Sequence, residues 1–211
     1  MANLQEISAL LQKGRAPQVK ELVVKALEEG EKPQHILEEG LLSGMSEIGE
    51  KFKNNEVFVP EVLIAARAMN AGIEVLRPSL MEAGVESKGT AVIGTVKGDL
   101  HDIGKNLVKM MLEGKGISVV DLGVNVSAEA FVTAAVENKA DIICCSALLT
   151  TTMNEMSNVV AEAERRGIRS QVKIMVGGAP VTQAFCDRIG ADCYTADAAS
   201  AADAALGFCV A

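Results

Sequence analysis

The stretch Thr90-Ala-Val-Ile-Gly-Thr-Val96 runs through Lys97 into Gly98-Asp99-Leu100-His101-Asp102-Ile103-Gly104. The first seven residues read as a buried strand. Leu107, Val108, Met111 and Leu112 then repeat at helical spacing. The heptapeptide therefore sits where a strand hands over to a helix. In open α/β sheets, ligands bind at the carboxyl ends of strands. His101 is one of only two histidines in the chain. Asp99 lies two positions earlier, on the same side of an extended segment. Its carboxylate could hold one imidazole nitrogen and leave the other free for a metal. Taken singly, each residue has a plainer reading: a hydrogen-bonding loop histidine, and a cap for a helix starting at Asp102.

Downstream the pattern continues as strand–helix alternation. Strands are expected at 90–96, 117–121, 141–146 and 172–176, with a short one at Cys193-Tyr194. Helices are expected at 102–113, 128–138, 152–165, 181–189 and 198–208. Five strands with right-handed crossovers make a doubly wound parallel sheet of flavodoxin-like or Rossmann type. Upstream the chain reads as helices only. Three are centred on Leu4–Leu11, Val19–Leu27 and Ile36–Phe52. A fourth opens at Pro60 and is supported by apolar spacing as far as Leu76. Four amphipathic helices with short connections suggest a small antiparallel bundle. Ala83–Gly89 reads as a linker.

Composition narrows the possible partners. The formal charge of −8 divides evenly, with 10 Lys/Arg against 14 Asp/Glu in both 1–88 and 89–211. No basic face points to nucleic acid or an anionic membrane. No apolar run is long enough for a bilayer, and no signal peptide is evident. Cys144, Cys145, Cys186, Cys193 and Cys209 show no CxxC spacing and read as buried thiols in a reducing cytoplasm.

Other segments carry weaker signals. Thr152-x-x-Glu155 fits a capping box, although a capping threonine can still offer its hydroxyl to a carboxylate. Gly177-Gly178 after the fourth strand could clear space for a nucleotide-like group, as Gly98 and Gly104 could beside His101. Val57, Phe58 and Val59 sit together before Pro60, either as a hydrophobic staple or as an apolar lid. His35 is assigned no role. There is no GxGxxG, no P-loop lysine motif and no Ser/His/Asp set. A zinc site would need more protein ligands than one histidine supplies. A metal carrying its own equatorial ligands needs only one axial donor, which narrows the choice to a macrocycle.

Asp99-x-His101-x-x-Gly104, Ser146-x-Leu148 and Gly177-Gly178, separated by 41 and 28 residues, resemble the cobalamin-binding signature of methionine synthase and related corrinoid proteins. The helical front end extends the resemblance over nearly the whole chain. It is similar to the free-standing corrinoid subunits of three-component methyltransferase systems, which act on methanol, methylamines, betaines or methoxylated aromatics. The resemblance implies an α/β chain: an N-terminal four-helix bundle cap (1–86), then a flavodoxin-like/Rossmann-like domain with a five-stranded parallel sheet (90–211).

It also implies roles. Cobalamin would bind with its lower base displaced and cycle between methylcobalamin and cob(I)alamin. His101 would be the cobalt ligand and Asp99 its hydrogen-bond acceptor. Thr152, where related methionine synthases carry serine, would continue that chain. Asp102, Ile103, Gly104 and Thr150 would join the cofactor contacts. Ser146, Leu148, Gly177 and Gly178 would line the nucleotide-tail pocket. Phe58, Val57, Val59 and Val62 would cover the upper, methyl-bearing face. Expected partners are a substrate-specific methyltransferase, an acceptor methyltransferase (acting on tetrahydrofolate or a thiol) and a reductive activation protein. The chain alone would be a methyl carrier and not a complete enzyme. Alternatives are a cobalamin sensor, for which cap and cofactor domain leave no room for an output domain, and the small subunit of an adenosylcobalamin mutase, which generally lacks the helical cap. The plainest alternative is a flavodoxin-like module for another nucleotide.

Overall fold

The structure is a computed structural model that describes residues 3–210. The backbone divides into two compact units: Met1–Glu86 with Gly114–Gly116, and Ser87–Glu113 with Ile117–Ala211.

The first unit is helical. α1 (Leu4–Gln12) is capped by the Asn3 side chain, and α2 is Ala16–Glu28. α3 spans 33–53 and departs from the regular helix expected there. Between Pro33–His35 and Ser43–Lys53, residues Ile36–Leu42 form a π-helix. α4 (Val59–Glu82) starts with Pro60 in its first turn, where a missing N–H costs nothing. It runs six residues beyond the apolar spacing, through Pro78. α2 packs along α4, with Val19, Val23 and Met69 fully buried. Gly72 lets the Leu41 side chain approach, since a Cβ there would stand 2.8 Å from it.

The second unit is a parallel sheet with helices. Its strands are β1 (Thr90–Thr95), β2 (Ser118–Asp121), β3 (Ile142–Ser146), β4 (Lys173–Gly177) and β5 (Cys193–Tyr194), in the order β2-β1-β3-β4-β5. Its helices are α5 (Ile103–Gly114), α6 (Ala128–Glu137), α7 (Asn154–Arg165), α8 (Gln183–Ile189) and α9 (Ala198–Cys209). β1 and β3 are buried nearly throughout, which is why they read as continuous apolar runs and not as alternating ones. Val92, Phe131, Ile143, Cys145, Val160 and Ile174 belong to one buried cluster that joins strands to α6 and α7.

Register is what assembles the site. Thr95 pairs with Ser146, and Ser146 pairs with Gly177. The carboxyl ends of β1, β3 and β4 therefore lie in one row. Loops that are 30 or more residues apart in sequence open side by side there.

All five cysteines are free thiols. Burial pushes Cys144 up to about 12 and also raises Cys145. Cys193 and Cys209 are only half-buried, unlike the other three. Among the described residues, no helix is long and apolar enough to cross a membrane.

Candidate functional site

Asp99 follows β1 and is completely buried, while the His101 side chain is about half exposed at 52%. Asp99 Oδ1 accepts the His101 backbone N–H at 3.0 Å and lies 2.7 Å from His101 Nδ1. A carboxylate can only accept, so Nδ1 carries the proton and, in the neutral ring, Nε2 keeps a bare lone pair.

Asp99 Oδ2 faces the loop after β3. It accepts the Leu148 N–H at 2.7 Å, the Leu149 N–H at 3.1 Å and the Thr152 hydroxyl at 3.0 Å. Burial alone would raise the Asp99 carboxyl. The N–H donors of His101, Leu148 and Leu149 outweigh it and hold the group well below the usual carboxylate range. Asp99 thus stays anionic and fixes the imidazole in one orientation.

Two readings of isolated residues fall here. Asp99 does not cap α5, because all its side-chain contacts are to its own turn and the β3 loop. Thr152 does not cap α7 either. That helix begins at Asn154 after Met153, and the Thr152 hydroxyl also reaches the Leu149 carbonyl at 2.9 Å. The helix starts one residue later than the capping box required, which leaves Thr152 buried and turned toward Asp99.

The turn carrying His101 is also tied to its neighbours. Buried Thr95 donates its hydroxyl to the His101 carbonyl at 2.8 Å. Gly98, at φ +82, donates its N–H to Asn125 Oδ1 at 2.8 Å. Lys105, nearly buried in the first turns of α5, pairs with Asp121 at the end of β2. Burial opposes ionisation of Asp121, but Lys105 and the Gly123 N–H prevail and lower it.

Around His101 the rim is apolar. Leu100, Ile103, Leu148 and Leu149 are all exposed, an uncommon grouping for large side chains on a polar loop. Asp102 stands at the helix start, where its carboxylate accepts from the Asn106 amide at 3.1 Å. Thr150 is exposed and Ser146 half-buried at the strand end. Glycines 104 and 177 have open space where a Cβ would project, whereas Gly178 does not. At φ +128 its Cβ would stand 1.9 Å from the Ala147 carbonyl oxygen, so the backbone itself requires glycine there.

Phe58, Val59 and Val62 belong to the helical unit. Phe58 is exposed and precedes α4, with its N–H held by Glu61 at 3.0 Å. Val59 is half-buried, and Val62 is fully buried and offers no surface of its own.

Sequence reasoning did not single out Leu100, Leu149, Thr95 or Asn125. Two leucines flanking polar motif residues were the available signal. Thr95 and Asn125 carried none, because their partners are backbone groups.

These residues fit a metal-bearing macrocycle that would take one donor from the protein. They offer one imidazole nitrogen with its orientation fixed, an apolar rim, and open space at Gly104 and Gly177. Among the described residues no three His, Cys, Asp or Glu side chains converge as a metal cage. A metal bound at His101 would draw a single donor from this set.

The B12 binding domain family matches residues 89–206, and a second B12 binding domain family matches residues 4–77. The chain is 49% identical over 176 residues to trimethylamine corrinoid protein 1 of Methanosarcina mazei, covering 82% of both chains. It is 45% identical over 200 residues to dimethylamine corrinoid protein 2 of Methanosarcina acetivorans, covering 94% and 92%. Among solved structures, the methanol:cobalamin methyltransferase complex MtaBC from Methanosarcina barkeri superposes with a TM-score of 0.85 at 32% identity. That match covers 95% of this chain and 78% of that one. A strand end built to hold one imidazole, on a chain this similar over both units, places the protein in the family of cobalamin-binding corrinoid proteins of methyltransferase systems.

Proposed function

We propose that this corrinoid protein carries a methyl group from a methylamine-specific methyltransferase to a second methyltransferase, which passes it to an acceptor such as tetrahydrofolate or a thiol. The Asp99-held imidazole on the apolar rim is the observation that supports it most. The names of the 45–49% identical relatives support a methylamine as donor. The solved complex supports docking of a substrate-specific methyltransferase. An activating reductase and a cytoplasmic location complete the reading.

Bound cobalamin supplies a cobalt centre that takes up and releases a methyl group. The chain supplies the rest. His101 would hold the cobalt through Nε2. Asp99 keeps the Nδ1 proton in place and makes the ring a better donor. Thr152 can give its hydroxyl proton to Asp99 or to the Leu149 carbonyl, but not to both, so it adjusts the carboxylate's pull. Leu148, Gly177 and Gly178, with Ser146, Thr150, Asp102, Ile103 and Gly104, form the cofactor contacts. The unit Met1–Glu86 would act as a cap, with Phe58 and Val59, and not the buried Val62, available to the methyl-bearing face. Motion about 83–89 lets partners reach it.

The test is anaerobic absorbance. The protein is loaded with cobalamin, reduced, and mixed with cell extract and one donor at a time: trimethylamine, dimethylamine, methylamine or methanol. Conversion of the reduced-cofactor spectrum with a methylamine alone is expected. Conversion with methanol alone would overturn the donor assignment. Tight cobalamin binding without conversion by any donor would favour a sensor.

A further inference from the structure

The turn that presents His101 is gripped from a strand end that takes no part in the Asp99–Thr152 contacts. Asn125, in the loop between β2 and α6, makes two bonds to it. Its Oδ1 accepts the Gly98 N–H at 2.8 Å, and its own N–H donates to the Asp99 carbonyl at 3.0 Å. The two bonds fall on adjacent residues, one of which is the residue whose carboxylate holds the imidazole. Asn125 does this at φ 56, a left-handed conformation that asparagine tolerates better than most residues.

Asn125 is itself anchored to β1. The Thr95 N–H donates to the Gly123 carbonyl at 2.9 Å, the Val126 N–H donates to the Thr95 carbonyl at 2.9 Å, and Val96 bridges to Val126. The grip on Gly98–Asp99 is therefore referenced to the sheet and not to a loose loop.

Leu148, Leu149 and Thr152 tie the Asp99 carboxylate to the β3 loop, and Thr95 ties the His101 carbonyl to β1. Asn125 adds a hold on the main chain between them, at the Gly98 N–H and the Asp99 carbonyl. Resting on the methyl-carrier reading above, we infer that Asn125 is a positioning residue for His101. It fixes the main chain at Gly98–Asp99 so that Nε2 stands where it can bind cobalt with little reorganisation. Loosening it lowers the fraction of cofactor that His101 ligates.

The side chain is exposed, so its removal leaves no core cavity. Asn125→Gly keeps the left-handed backbone and the N–H to Asp99 but removes the acceptor for Gly98. Asn125→Asp restores an acceptor at the same place. The cobalamin-loaded proteins are reduced to the cobalt(II) form, and the axial nitrogen splitting is read by electron paramagnetic resonance. Exchange of the Gly98 amide is followed in the cofactor-free proteins.

In Asn125→Gly the ligated-to-unligated ratio is expected to fall roughly twofold to tenfold, the effect of one lost hydrogen bond. Gly98 exchange should accelerate, and Asn125→Asp should restore both. Accelerated exchange with unchanged splitting would overturn the inference, as would unchanged exchange. Wild-type protein without axial nitrogen splitting would instead remove the His101 assignment, and the inference with it.

Discussion

The Thr152 hydroxyl stands 3.0 Å from Asp99 Oδ2, across 53 residues of chain, and 2.9 Å from the Leu149 carbonyl. One proton serves two acceptors. Removing it with Thr152→Ala leaves Asp99 its N–H donors, so the fold should lose only about 1 kcal/mol. The anion loses a donor, so the Asp99 carboxyl moves up toward the usual carboxylate range. The pH midpoint for loss of the axial nitrogen signal should rise by roughly half a unit to one unit. Thr152→Ser should keep the wild-type midpoint. A pH series of resonance spectra on the three proteins decides it.

His101→Ala tests the ligand directly. The side chain is half exposed, and Asp99 Oδ1 keeps the backbone N–H of residue 101. The variant should fold, with a melting temperature near that of the wild type. Its cobalt(II) form should show no axial nitrogen splitting. Splitting identical to wild type would sink the assignment.

Two glycines at the rim should behave oppositely. Gly178→Ala drives a methyl into the Ala147 carbonyl and should destabilise the fold by roughly 2–4 kcal/mol in denaturant melts. Gly104→Ala meets nothing within 4 Å. It should be neutral to about 1 kcal/mol more stable, since alanine suits a helix better. Its effect should appear as weaker cobalamin binding in titrations.

Glu162 on α7 should mark the acid side of the stability profile. Hydrogen bonds from Arg165 and Arg166 outweigh burial and hold its carboxyl down at about 2. A depressed carboxyl stabilises the fold fully above its ordinary value of 4.5, and that contribution is lost as pH falls toward 2. Glu162→Gln should therefore be less stable than wild type at pH 7. The gap should close between pH 4.5 and 2 in chemical denaturation. A gap that widens on acidification would contradict this.

Much of this architecture was written in side-chain pattern. Val92, Ile93, Ile142 and Ile143 announce strands buried on both faces, and Asp99 and His101 lie close enough in sequence for their contact to be read from spacing. The contacts from Leu148 and Leu149 to Asp99 could not be read, because they are made by backbone N–H groups that any residue carries. Thr152 misled as a cap because the distance to Glu155 is right and only the starting point of the helix is wrong. The π-helix at Ile36–Leu42 was equally hidden: Ile36, Leu41 and Leu42 are buried there as they would be in a regular helix. Pro78 shows the reverse case: the helix runs on to Glu82 past a residue that would break it in isolation.

In a sheet ordered β2-β1-β3-β4-β5, the chain parts company with itself between β1 and β3, and bound molecules of this topology settle into that parting. Here the parting is sewn shut. One buried carboxylate, Asp99, receives threads from Leu148, Leu149 and Thr152 on the opposite lip. A seam closed in this way leaves no slot for a flat ring. What remains is the outer lip with its leucines, and one strand over, free room at Gly177 for a slender appendage. That wiring makes the strand ends a pedestal, which suits cargo that a partner methyltransferase must be able to touch.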